Sequence, residues 1–144
     1  MSIKQISVFV ENKPGAMCAM TKVLANHGVD MRALSLAETE DFGIVRIIVD
    51  DLDKAGTVLK EEGYIYSAAS VLGVAIPDTP GGLGKVLMGL GDAGINIDYM
   101  YAFLGGPEAA HAYMIFKTAD ADKASAALAA KGISVLDQED IEEL

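Results

Sequence analysis

A chain of 144 residues makes one ordinary domain or two small ones, and its 51% hydrophobic content fills a core and argues against disorder. A formal charge of −10 argues against nucleic acid and anionic membrane surfaces as partners, since both are held by Lys and Arg set against phosphates. No apolar run reaches the roughly 18 residues of a membrane span, and Met1-Ser2-Ile3-Lys4 lacks the apolar core of a secretory signal, so a cytoplasmic protein is expected.

In chain order, Ile6, Val8 and Val10 alternate with Ser7, Phe9 and Glu11, which predicts a strand over residues 3–10. At Asn12-Lys13-Pro14-Gly15 the period changes, and Met17, Met20 and Leu24 fall at helical spacing over 15–27, with Gly28 as the stop. Residues 29–38 are a second strand, Asp41-Phe42-Gly43 a turn, and Ile44 to Val49 a β-branched third strand expected in the middle of a sheet. Asp51 and Asp53 are candidate caps for a second helix that turns Ala55, Val58 and Leu59 inward and stops at Gly63. A fourth strand starts at Tyr64, completing β-α-β-β-α-β.

The pattern then repeats. Val8, Pro14, Gly15, Leu24 and Gly28 recur 66 positions later as Val74, Pro80, Gly81, Leu90 and Gly94. A two-residue insertion around Gly105-Gly106-Pro107 moves the offset to 68. It becomes 69 where Asp53, Leu59 and Gly63 meet Asp122, Leu128 and Gly132. Two units follow, 1–70 and 71–144, each a split β-α-β pair. The fold class is therefore α+β: two ferredoxin-like units in tandem, each an antiparallel sheet with its helices on one face.

Both strand-to-helix corners have the same chemistry. The first N–H groups of a helix lack intrahelical acceptors and attract a carboxylate or phosphate. The groups in question are at residues 15–17 and 81–83. A free amino acid carries such a carboxylate, together with an ammonium that seeks acid or amide oxygens.

The residues Glu11-Asn12-Lys13-Pro14-Gly15 with Gly28-Val29-Asp30, and Asp78-Thr79-Pro80-Gly81 with Gly94-Ile95-Asn96-Ile97, resemble the pattern of ACT domains. These are small β-α-β-β-α-β modules that bind amino acids and regulate metabolic enzymes. The resemblance covers essentially the whole chain and is nearest to freestanding tandem ACT proteins, which lack a catalytic domain. It implies ligand contacts at Asn12, Lys13, Pro14, Gly15, Ala16, Met17 and Asp30, and at Asp78, Thr79, Pro80, Gly81, Gly82, Leu83 and Asn96. In such domains the residue before the variable-Pro-Gly and the one after Gly-Val/Ile receive the ammonium: Asn12 and Asp30 in one unit, Asp78 and Asn96 in the other.

Gly82, Gly84, Gly89 and Gly91 weaken the third helix unless it packs closely on a neighbour. Tyr99, Tyr101 and Phe103 share a strand face away from the helices, where an aromatic row predicts association and hence a homodimer. Cys18, the one cysteine, is expected to be small buried filling. His27 sits at a helix end, His111 in an exposed insertion, and the acidic stretch from Asp137 to Glu143 is expected to be a solvated strand end. No nucleophile–base arrangement, phosphate loop or metal-ligand spacing stands out, so neither enzyme nor cofactor is expected. The expected function is a sensor binding a free amino acid at its Pro-Gly corners. The alternatives are a regulatory subunit that contacts a metabolic enzyme without a small ligand, and an enzyme of unrecognised type.

Overall fold

The computed structural model describes residues 2–103 and 111–143. It falls into two compact units. One comprises residues 4–69, and the other residues from 70 onward joined by the start of the chain up to Ile3. The insertion around Gly105-Gly106-Pro107 lies outside the described residues.

In the first unit, β1 (Ile3–Glu11) leads to α1 (Ala16–Asn26), β2 (Met31–Glu38), β3 (Phe42–Val49), α2 (Leu52–Glu61) and the first part of β4 (Ile65–Pro77). The strand order is β2-β3-β1-β4, so β3 is an interior strand, as its β-branched run predicts, and β2 is an edge. Antiparallel pairing sets Val8 opposite Val45 and Glu11 opposite Phe42, while β2 pairs Leu34 with Ile47 and Leu36 with Val45. Alternation then sends Ile6, Val8, Val10, Val45, Ile47 and Val49 into one core with Met20 and Leu24 of α1 and Ala55 and Leu59 of α2. The Asp51 carboxylate caps α2, its Oδ1 accepting from the Lys54 N–H at 3.0 Å.

The second unit repeats the plan with the rest of β4, α3 (Gly82–Asp92), β5 (Tyr99–Phe103), β6 (His111–Lys117), α4 (Ala121–Ala129) and β7 (Val135–Leu136). Here β5 pairs β6, β6 pairs β4, and β7 adds to the other side of β4. Leu72, Val74, Ile76, Met114 and Phe116 form a core with Val86 and Leu90 of α3 and Leu128 of α4. Asp120 caps α4 as Asp51 caps α2, accepting from the Lys123 N–H at 3.1 Å.

Three expectations need correction. The acidic end is not a strand end: after the two residues of β7 it forms α5 (Gln138–Glu143), with Ile141 fully buried. Asp137 and Asp140 cap it reciprocally, each carboxylate accepting from the other residue's N–H at 2.8 and 2.9 Å. Cys18 is exposed, because the inward face of α1 is taken by Met20 and Leu24. The aromatic row is not an open patch: Tyr101 is buried within the single chain, Tyr99 and Phe103 are half-buried, and Phe103 stacks on Tyr113 with centroids 5.3 Å apart.

The glycines of α3 divide. At Gly82 an added Cβ would collide with the Pro77 carbonyl oxygen, and at Gly89 it would press on Leu128 at 3.2 Å. Gly84 and Gly91 have nothing within 4 Å, so close packing does not explain them.

Candidate functional site

The two corners share one backbone pattern. Gly15 and Gly81 each adopt φ of +84°, a left-handed conformation natural to glycine, and each is the N-cap of its helix. In the first unit the Lys13 N–H donates to the Glu11 carbonyl at 3.0 Å, Ala16 to Lys13 at 3.3 Å and Ala19 to Gly15 at 3.0 Å. In the second, Thr79 donates to Pro77 at 2.8 Å, Gly82 to Thr79 at 3.0 Å and Lys85 to Gly81 at 3.3 Å. Asn12 is not the cap: its N–H donates to the Asp41 carbonyl at 3.1 Å, and its side-chain amide reaches the Thr39 carbonyl at 3.4 Å.

Neither helix start is capped by a side chain. The turn uses the Ala16 and Gly82 amides, but those of Gly15 and Met17, and of Gly81 and Leu83, have no acceptor among the described residues. An added Cβ on Gly15 or Gly81 meets nothing within 4 Å. Glycine is therefore required there by its backbone angle, and the space beside it is open.

A cavity of about 340 Å³ adjoins each corner. The first is lined by Phe9, Val10, Glu11, Lys13, Ala16, Ala19, Phe42, Gly63, Tyr64 and Ile65. The second is lined among others by Ile76, Pro77, Gly82, Lys85, His111, Lys131 and Ile133. The internal offsets of 66 and 69 superpose the two: Glu11 on Pro77, Ala16 on Gly82, Ala19 on Lys85 and Tyr64 on Ile133. The duplication has kept the concavity and changed its walls.

The predicted contact residues are not all gathered at one point. Asn12, Lys13, Pro14, Gly15, Ala16 and Met17 lie together at the end of the sheet where Glu11 faces Phe42. Asp30 lies at the opposite end, its N–H donating to Asp50 Oδ1 at 2.9 Å, next to the pairing of Met31 with Val49. Its carboxylate also pairs with Arg32 at 3.3 Å. The length of α1, 11 residues or roughly 16 Å at 1.5 Å per residue, separates the two.

The second unit does the same. Asp78, Thr79, Pro80, Gly81, Gly82 and Leu83 stand at the end where Pro77 pairs with His111. Asn96 is at the other end, its amide donating to Asp98 Oδ1 at 3.3 Å, where the Asp98 N–H reaches the Lys117 carbonyl. Asn12 and Asp30 of one unit therefore cannot hold the same ammonium, nor can Asp78 and Asn96. A helix that returns antiparallel to its preceding strand must part them.

Sequence reasoning missed Glu11, Phe9, Phe42, Tyr64 and Ile65. Phe9 and Phe42 are 33 positions apart and meet only through the β1–β3 register, which no local pattern announces. Glu11 forms a 2.9 Å ion pair with Lys13 at the rim of the first cavity. Among the described residues no three His, Cys, Asp or Glu side chains gather as a metal site requires, and no helix is long and apolar enough to cross a membrane.

Comparison with known proteins bears on this geometry. A family model described as an ACT domain pair matches residues 1–144. Protein BT0572 from Bacteroides thetaiotaomicron is 38% identical, with a TM-score of 0.92 over 100% of this chain and 98% of that one. The regulatory subunit of aspartate kinase from Thermus thermophilus, in its ligand-free form, is 19% identical with a TM-score of 0.63, covering 90% of each chain. The corresponding subunit from Thermus flavus is 16% identical with a TM-score of 0.55, covering 88% of this chain and 90% of that one. At those identities the two subunits speak to the fold alone. A search of curated protein sequences found no match.

Proposed function

The chain belongs to the ACT domain pair family, and from that footing we propose that it is a small-molecule sensor that binds a free amino acid at its Pro-Gly corners. The observation that carries this reading is the open helix start. Unaccepted amides at Gly15 and Met17, with their counterparts at Gly81 and Leu83, flank Ala16 and Gly82, each of which lines a cavity of amino-acid size. The ligand's carboxylate sits on those amides. Its ammonium takes the side-chain oxygen of Asn12 or Asp78, while Asp30 or Asn96 joins the same ligand only if a second chain brings it.

An amino acid has about ten non-hydrogen atoms, and the best small ligands gain up to about 1.5 kcal/mol per atom, so micromolar binding (about −8 kcal/mol) is within reach. The bound state acts by changing association with a metabolic enzyme or another regulatory protein, in the cytoplasm, without chemistry of its own. Homodimerisation accompanies it. Its support is the edge strand β2, whose Leu34 and Leu36 are 47% and 55% exposed beside unpaired backbone groups.

The test is a thermal-shift screen of the common amino acids. A ligand at about 100 times its Kd adds roughly 2.7 kcal/mol, a rise of several degrees for a protein of this size. Asn12→Ala and Asp78→Ala then assign the response to a corner. A melting point unmoved by every amino acid sinks the sensor reading and favours a subunit that works by protein contact alone.

A further inference from the structure

Six large hydrophobic side chains stand exposed among the described residues, and three of them, Phe9, Phe42 and Ile65, at 41%, 51% and 73%, border the first corner cavity. Single exposed apolar residues are ordinary, whereas three around one concavity mark a binding surface. The register accounts for the grouping. Phe9 pairs with Ile44 and Glu11 with Phe42, so Phe9, Glu11 and Phe42 share the sheet face away from the helices. The two rings are diagonal neighbours there, within reach of one another. Tyr64 and Ile65 complete the wall from the start of β4.

Glu11 and Lys13 form their ion pair at the rim with side chains 65% and 62% exposed. A pair so open to water is held weakly and exchanges readily for other partners. A zwitterion offers each what it already has: an ammonium for Glu11 and a carboxylate for Lys13. Ala75, Pro77 and Thr79 take the places of Phe9, Glu11 and Lys13 in the second unit, where the cavity is bordered instead by Lys85, Lys131 and His111. The second concavity thus has neither the aromatic wall nor the matched pair.

Building on the sensor reading, we propose that the first-unit cavity selects an amino acid with a large apolar or aromatic side chain, held against Phe9 and Phe42, with Glu11 joining Asn12 at its ammonium and Lys13 joining the helix-start amides at its carboxylate. A volume of about 340 Å³ is at the small end of ligand pockets, which suits one amino acid.

Isothermal titration of the full chain with phenylalanine, leucine, glutamate and glycine tests this. Phenylalanine or leucine is expected to bind at least about tenfold more tightly than glycine. Phe42→Ala removes most of that preference, Phe42→Tyr retains it, and circular dichroism checks that both variants are folded. Tightest binding of glutamate, equal affinity for glycine and phenylalanine, or a Phe42→Ala protein that binds phenylalanine as the parent does overturns the selectivity and leaves the sensor reading standing. No heat from any amino acid overturns both.

Discussion

Two glycines in the first turn of α3 are expected to respond to the same substitution in opposite directions. Gly84 is exposed, lies in a helix, has ordinary backbone angles and has no atom within 4 Å of an added Cβ. Gly84→Ala therefore gains helix propensity at no steric cost, up to about 1 kcal/mol. Gly82 is buried, and its added Cβ collides with the Pro77 carbonyl oxygen. That oxygen already accepts the Thr79 N–H at 2.8 Å, so it yields only if the corner itself deforms. Overpacking of this kind costs about 1–3 kcal/mol. The two variants should thus separate by about 1–4 kcal/mol, read as diverging urea midpoints at unchanged slope. Coincident midpoints, or a Gly84→Ala protein less stable than its parent, would refute the packing account of this helix.

The matched caps should behave as a pair. Asp51→Ala and Asp120→Ala each lose one carboxylate bond to an N–H, at 3.0 and 3.1 Å, and each is expected to lower stability by about 1 kcal/mol in urea denaturation. Leu24 and Leu90, 66 positions apart and both fully buried beneath the first helix of their unit, should cost about 2–5 kcal/mol each when cut to Ala. A loss under about 1 kcal/mol at either would contradict its place in the core.

The repeat was legible because it is written in residues that backbone geometry fixes. Gly15, Gly28 and Gly63 have φ of +84°, +70° and +80°, and Gly81, Gly94 and Gly132 have +84°, +70° and +75°. Side chains drift between duplicated units, whereas a left-handed corner keeps its glycine. α2 was readable from its aspartate cap and inward stripe, and α4 from its match to α2 in the repeat.

Properties decided by long-range register were not legible. Phe9, Phe42 and Ile65 come from three separate strands and form one wall only after the sheet is assembled. The partition of Asn12 from Asp30 is a different matter, since it follows from β-α-β connectivity alone. Short motif distance along the family pattern hides an 11-residue helix between them. The end of the chain misled because its charge suggested solvent, while a single residue, Ile141, ties α5 into a buried position.

The backbone amides at the helix starts give the most direct test. With assigned ¹H–¹⁵N spectra of the full chain titrated with the amino acid that raises its melting point, the account predicts the largest downfield movements at Gly15 and Met17, or at Gly81 and Leu83, as a carboxylate settles on them. Saturating changes confined to residues at the other end of the sheet, around Asp30 and Asp50 or Asn96 and Asp98, would contradict it.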